Sequence, residues 1–199
     1  MNEKIFNKEE WLKPNNMIRL YSKGAFPMAD EITGHINWYM PEVRAIIPLN
    51  NYNVPRSLKK IIKENIFELR YDYDFLSVVK GCADRNETWI SDRLIKAYFE
   101  LNKLGYVHTV ETWQKGKLVG GLYGISYGGA FFGESMFSEV TQASKVALIK
   151  LLERLNEKKF VMLDIQYMTP HLKMFGAKEI SFDEFNNLLL ECYKRNCKF

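Results

Sequence analysis

Two acidic residues lie in surroundings that resist charge. Glu134 sits within Phe131-Phe132-Gly133-Glu134-Ser135-Met136-Phe137, and Asp164 within Phe160-Val161-Met162-Leu163-Asp164-Ile165-Gln166-Tyr167. A carboxylate taken out of water costs free energy unless it is paired or put to use. Asp164 and Gln166 fall on one face of a strand by its two-residue period, so both could meet a ligand together. A buried salt bridge or a helix cap would also account for such acids, and the pattern alone leaves both readings open. Other chemistry is poorly represented. His35, His108 and His171 lack metal-ligand spacing and read as structural or surface residues, so no metal is expected. Ser135, Ser138 and Ser144 have no nucleophile elbow around them. Cys82, Cys192 and Cys197 are widely spread and odd in number, which argues against a disulfide framework or zinc ribbon and for a reducing, cytoplasmic setting.

Seven of the twelve glycines fall within 116–133, interleaved with large apolar and aromatic residues. Glycine weakens a strand, so this density reflects either close approach of a ligand or backbone, or a strongly twisted hairpin. None of these glycines forms G-x-G-x-x-G or a P-loop, so no nucleotide-phosphate cradle is signalled. Arg56, Lys59, Lys60 and Lys63 form a basic cluster with no acid inside 56–63, a candidate for phosphate contacts that could equally be a solvated face. Lys145, Lys150, Arg154, Lys158 and Lys159 are mixed with Glu153 and Glu157 and read as a solvated helix face. Trp89 precedes a helix and is placed to pack as a lid or to stack on a base.

The elements that must position these residues follow from periodicity and punctuation. A short helix over 15–23 stops at Gly24, and Phe26-Pro27-Met28 is extended or turn. Val43–Leu49 is a strand candidate, with a domain boundary near Pro41. Helices are expected from Pro55-Arg56, over 75–83 capped by Asp74, and over 92–104 capped by Ser91. Phe67–Tyr73 reads as a strand. Val107–Trp113, Leu118–Ser126 and Ala130–Met136 form a meander, with a hairpin turn at Lys115-Gly116. Ala143–Lys158 carries Val146, Ala147, Leu148, Leu151, Leu152 and Leu155 on one face, the mark of an amphipathic helix. Phe160–Ile165 is a buried strand, a short helix falls near 170–175, and Ser181-Phe182-Asp183-Glu184 is a capping box opening the last helix. The sum is α+β with a mixed sheet.

Length and composition are consistent with this reading. The 199 residues suit one compact domain, or one domain carrying a small appendage, and 47% hydrophobic with 26% charged residues argues against disorder, collagen-like repeats and coiled coil. The longest uncharged run, 118–133, is too rich in glycine for a membrane helix. The opening MNEKIFNKEEW carries acids and lacks an apolar core, so no signal peptide is expected. The net charge of +4 is too small to name a partner, but residues 1–41 are balanced and the whole surplus lies in 42–199.

Taken in order, Gly24-Ala25-Phe26-Pro27-Met28, Cys82-Ala83, Thr88-Trp89-Ile90, His108-Thr109-Val110-Glu111-Thr112-Trp113, Gly120-Gly121-Leu122-Tyr123-Gly124, Gly133-Glu134-Ser135-Met136-Phe137-Ser138, Ala143-Ser144-Lys145 and Asp164-x-Gln166 resemble bacterial leucyl/phenylalanyl-tRNA–protein transferases. The resemblance runs from about residue 15 to 182. It implies a small N-terminal α/β domain over 1–41 and a catalytic domain over 42–199 with an acetyltransferase-like (GNAT) fold. It also implies transfer of Leu, Phe or Met from its tRNA to the N-terminal Arg or Lys of a protein, marking that protein for degradation. No cofactor, metal or membrane is implied, and a monomer is expected.

The resemblance also implies roles. Asp164 would orient and activate the attacking amine, Gln166 would relay hydrogen bonds, and Glu134 would help hold the acceptor. Leu122, Phe131, Met136, Leu148, Leu151, Leu155 and Leu163 would line the pocket for the donor side chain. Trp89 would stack on the terminal adenosine, with Met28 as a weaker second wall where many relatives have Trp. Leu151 and Leu155 stand for aromatic residues of some members, and Pro170 for a common acid. The cluster Arg56, Lys59, Lys60 and Lys63, singled out by its charge pattern, is then the candidate for tRNA phosphate contacts. The rival readings are a coenzyme-A-dependent acyltransferase on the same fold, a cell-wall aminoacyl-tRNA ligase and a non-catalytic tRNA-binding module. The first needs a glycine-rich pyrophosphate loop, and Ser138–Ser144 contains no glycine.

Overall fold

The structure, a computed structural model, describes residues 9–199. Most of the segment read for a signal peptide, residues 1–8, lies outside the described residues. A 3₁₀ turn (Glu9–Leu12) leads into helix α1 (Pro14–Tyr21), which starts on proline and buries Met17, Ile18, Leu20 and Tyr21. After Gly24, at φ +83°, the chain forms an antiparallel hairpin of β1 (Phe26–Ala29) and β2 (Ile36–Tyr39). The Asp30 carboxylate closes its loop by accepting the Ile32 and Thr33 backbone N–H groups.

The remaining strands form one sheet. In chain order these are β3 (Val43–Pro48), β4 (Glu68–Tyr71), β5 (Val107–Gln114), β6 (Lys117–Tyr127), β7 (Ala130–Ser138), β8 (Met162–Gln166) and β9 (Lys178–Ser181). Their spatial order is β4-β5-β6-β7-β8-β3-β9. Every neighbouring pair is antiparallel except β7 and β8. The helices are α2 (Arg56–Lys63), α3 (Phe75–Ala83), α4 (Asp92–Lys103), α5 (Ala143–Glu157), the short α6 (Pro170–Lys173) and α7 (Phe182–Tyr193). Asp74 and Ser91 cap α3 and α4 through the N–H groups of Ser77 and Leu94, and Ser181 with Glu184 forms the capping box of α7.

Strand alternation divides the interior into two cores. Val107, Tyr123, Ile125, Phe132 and Met162 join buried residues of α1, α3, α4 and α7. Val110, Leu122, Phe131 and Leu163 join those of α5 and α2. Adjacent residues on one strand therefore serve opposite faces, as at Phe131 and Phe132. The glycine-rich stretch serves this packing. A Cβ on Gly120 would lie 2.5 Å from that of Ala143 at the start of α5, so glycine lets the helix settle on β6. Gly124 sits at a register shift between β6 and β7 and leaves room for the Phe131 ring.

The meander, the capped helices and α5 agree with the sequence reading to within a few residues. Two elements differ. Ile36–Tyr39, not read as a strand, pairs with Phe26-Pro27-Met28, which takes the extended one of its two expected forms because proline is tolerated in a two-stranded hairpin. The polar segment Lys178–Ser181, not read as a strand, pairs with β3 at the sheet edge. Among the described residues no helix is long and apolar enough to cross a membrane.

Candidate active site

Strands β7 and β8 run parallel but pair only over Ala130–Phe132 and Met162–Asp164. Beyond these residues both continue, β7 to Ser138 and β8 to Gln166, and a cavity of about 410 Å³ opens between them. Leu122, Met136, Leu148, Leu151 and Leu163 give it an apolar wall. Trp89, Arg85, Ser135, Glu134, Gln166 and His171 add aromatic and polar groups. This division into apolar lining and a few convergent polar groups is what a small-molecule site requires.

Glu134 is buried, yet it faces this cavity. Its two oxygens accept the Tyr21 and Tyr98 hydroxyls, each at 2.8 Å, and Oε1 also accepts the Gln166 Nε2 at 3.3 Å. Burial drives its pKa up to about 7; the tyrosine hydrogen bonds hold it from going higher, and the neighbouring Asp164 charge pushes it further up. Both phenols are themselves pushed well above their usual range, first by burial and then by the Glu134 charge, so they remain donors.

Asp164 has a different setting. It is fully buried and does not line the cavity. Arg44 holds it bidentately, Nε to Oδ1 at 2.9 Å and Nη2 to Oδ2 at 2.6 Å. The Arg44 guanidinium is sandwiched near the Phe26 and Phe185 rings, at 4.6 and 4.7 Å. Asp164 Oδ1 also accepts the backbone N–H of Gln166 at 2.9 Å. That bond matters because Gln166 has φ +61°, a left-handed conformation uncommon outside glycine. The buried acid thus fixes the strained turn that directs Gln166 toward Glu134. The buried ion pair left open by the sequence pattern is present, and its base is Arg44.

Of the residues expected to bind the donor, pocket lining and adenosine-stacking walls together, Trp89, Leu122, Met136, Leu148, Leu151 and Leu163 line one cavity. Three do not. Phe131 belongs to the same core as Leu122, Leu148, Leu151 and Leu163 but is not in the cavity lining; its ring packs near Phe199, 5.4 Å away. Leu155, one turn beyond Leu151 on α5, is sealed in the same core. Met28 is half-buried on β1 against the α1 core. Arg56, Lys59, Lys60 and Lys63 lie exposed on α2, away from the cavity lining, and Lys60 is within 3.8 Å of Glu64.

Several groups were missed from sequence. Tyr21, Tyr98 and Arg44 come from segments 113, 36 and 120 residues away from the acids they hold, with no local pattern to mark them. Arg85 lines the cavity and donates to Ser135 Oγ at 2.7 Å and to the Met136 carbonyl at 2.9 Å. His171, read as structural or surface, lines the cavity too; burial and then Lys145 lower its pKa, favouring the neutral ring. Cys82 is pushed up to about 12 by burial and is no nucleophile. Among the described residues no group of three or more His, Cys, Asp or Glu is placed to hold a metal ion.

Comparison with known proteins agrees with these motifs. The family model described as leucyl/phenylalanyl-tRNA protein transferase matches residues 46–190, and that of the family's N-terminal domain matches 12–42. A leucyl/phenylalanyl-tRNA–protein transferase from Salinibacter ruber is 45% identical over 179 residues, covering 90% of this chain and 79% of that protein. A solved structure of L-PGS from Bacillus licheniformis overlays 93% of this chain at a TM-score of 0.44 with 13% identity. This chain spans 63% of that one, so less than two thirds of its length is matched. The chain belongs to the leucyl/phenylalanyl-tRNA protein transferase family.

Proposed function

We propose that this protein transfers Leu, Phe or Met from its aminoacyl-tRNA to the N-terminal Arg or Lys of acceptor proteins, marking them for degradation. The observation that carries this reading is an apolar pocket with a near-neutral carboxylate, Glu134, and an amide, Gln166, at its polar side. The apolar wall suits an unbranched or γ-branched donor side chain, and Met136 lets it adapt to more than one. Trp89 stacks on the terminal adenosine, and Arg56, Lys59, Lys60 and Lys63 contact tRNA phosphates.

The donor is already an activated ester, so alignment, proton transfer and charge stabilisation are what remain for the protein. The acceptor α-ammonium loses a proton to Glu134, whose pKa near 7 suits the exchange at neutral pH. The freed amine attacks the ester carbonyl. As the tetrahedral intermediate collapses, the carbon–oxygen bond to the ribose breaks, the amide forms, and the ribose oxygen leaves with a proton. Gln166 orients the amine from the cavity wall. Asp164, sealed behind it, is a positioning residue that acts through the Gln166 backbone. This shifts the activating role from Asp164 to Glu134, because only Glu134 opens to the cavity.

An acetyltransferase-like arrangement of the catalytic part, 42–199, is supported by the parting of the parallel pair β7 and β8 at the cavity. Residues 1–41 form the smaller N-terminal part, which contributes Tyr21 to the site. The protein acts as a cytoplasmic monomer. Incubation with radiolabelled Leu-, Phe- or Met-tRNA and a peptide beginning with Arg or Lys tests the activity. Label is expected at the peptide N-terminus, and its absence would refute the reading.

A further inference from the structure

A second cavity, of about 290 Å³, adjoins the first, and Gln166 and Tyr167 line both. Its floor follows from strand register. Glu179 on β9, Ala45 on β3 and Gln166 on β8 are successive cross-strand partners, so they form one row across the sheet. Two interstrand spacings separate the ends of this row by about 10 Å. Ala45 is the middle member, and its single methyl leaves a groove between the outer two. Glu42, just before β3, lines the same cavity. Both acids are exposed, and neither pairs with a basic side chain among the described residues. Lys178, next to Glu179, faces the other side of the strand with Ile180, so it does not neutralise the groove.

At the near end, Gln166 is only 9% exposed. Its Nε2 is engaged by Glu134, but its amide oxygen accepts no hydrogen bond from the described residues. That oxygen is open at the cavity wall, where it can accept a donor from a ligand. The groove therefore offers an acceptor oxygen beside the reaction centre and negative charge about one long side chain away.

We propose that this groove seats the side chain of the acceptor's N-terminal Arg or Lys, with the α-amine at Gln166 and the cationic tip at Glu42 and Glu179. The inference rests on the transfer activity proposed above and assigns its acceptor selectivity to these two carboxylates. A long unbranched cation spans the row over Ala45. A short or uncharged side chain leaves the acids unpaired and gains nothing from them.

The test compares two peptides that differ only in the first residue, arginine or its uncharged isostere citrulline, with Leu- or Phe-tRNA as donor. The measured quantity is the ratio of kcat/KM for the two. The wild-type protein should favour arginine, and Glu42→Gln with Glu179→Gln should reduce that ratio at least about fivefold. A ratio near one in the wild type, or a ratio the double variant leaves unchanged, overturns the subsite. A general folding defect lowers both rates together and does not mimic the expected change. Absence of transfer to either peptide by the wild type instead refutes the activity, and the subsite with it.

Discussion

Glu134 and Asp164 stand on neighbouring parallel strands, and Asp164 is the registered partner of Phe132, two residues before Glu134. Both are buried, but they are compensated differently. Asp164 has the Arg44 guanidinium and a backbone N–H; Glu134 has two phenols and an amide, all neutral donors. A full opposite charge stabilises a carboxylate inside a protein far more than hydroxyls do. The acid with the cation is closed off and serves structure. The acid without one faces the cavity and titrates near neutrality, where it can exchange a proton with an amine.

The largest effect should come from breaking the first arrangement. Arg44→Met leaves the Asp164 carboxylate buried without its cation and should cost about 3–5 kcal/mol in urea unfolding. Adding Asp164→Leu should restore most of that loss, since two apolar groups need no compensation.

The second arrangement responds in the opposite sense. Glu134→Gln should slow transfer by about 10²–10⁴, the scale of a lost acid–base group, while leaving the protein folded. Its effect on stability depends on pH. The folded protein holds the Glu134 proton up to about pH 7, whereas the unfolded chain releases it near 4.5. The folded state therefore binds more protons between these values, and stability falls as pH rises through them, by about 3 kcal/mol in all. Denaturation at pH 5 and pH 8 should show most of this loss in the wild type and not in Glu134→Gln.

A smaller change refines the comparison. Tyr98→Phe removes one donor to the Glu134 carboxylate and should raise its pKa further, moving the acid limb of the rate profile up by as much as about one pH unit. An unshifted limb would show that the phenol does not set the titration.

Much of the scaffold was legible because local chemistry repeats it. The apolar face of α5 supplies Leu148 and Leu151 to the cavity, and Asp74, Ser91 and Ser181 cap the helices the sequence assigned to them. Both acids stood out because their neighbours are apolar. What decides their difference is long-range. Arg44 lies on the strand beside Asp164 only after β3 inserts between β8 and β9, and Tyr21 reaches Glu134 only after α1 docks. No periodicity within a segment carries such information. The same holds for Phe131 and Leu155. Their composition fits a pocket wall, and both belong to the core that builds it, but Phe131 packs beside Leu163 where β7 and β8 are still paired and Leu155 lies one turn beyond Leu151, so neither reaches the lining.

The most direct test is titration of the carboxyl carbons by NMR, with ¹³C-labelled glutamate in the wild type and in Glu134→Gln. One carboxyl should titrate near pH 7 in the wild type and be missing from the variant. A Glu134 signal that titrates with the ordinary glutamates, near 4.5, would contradict the account.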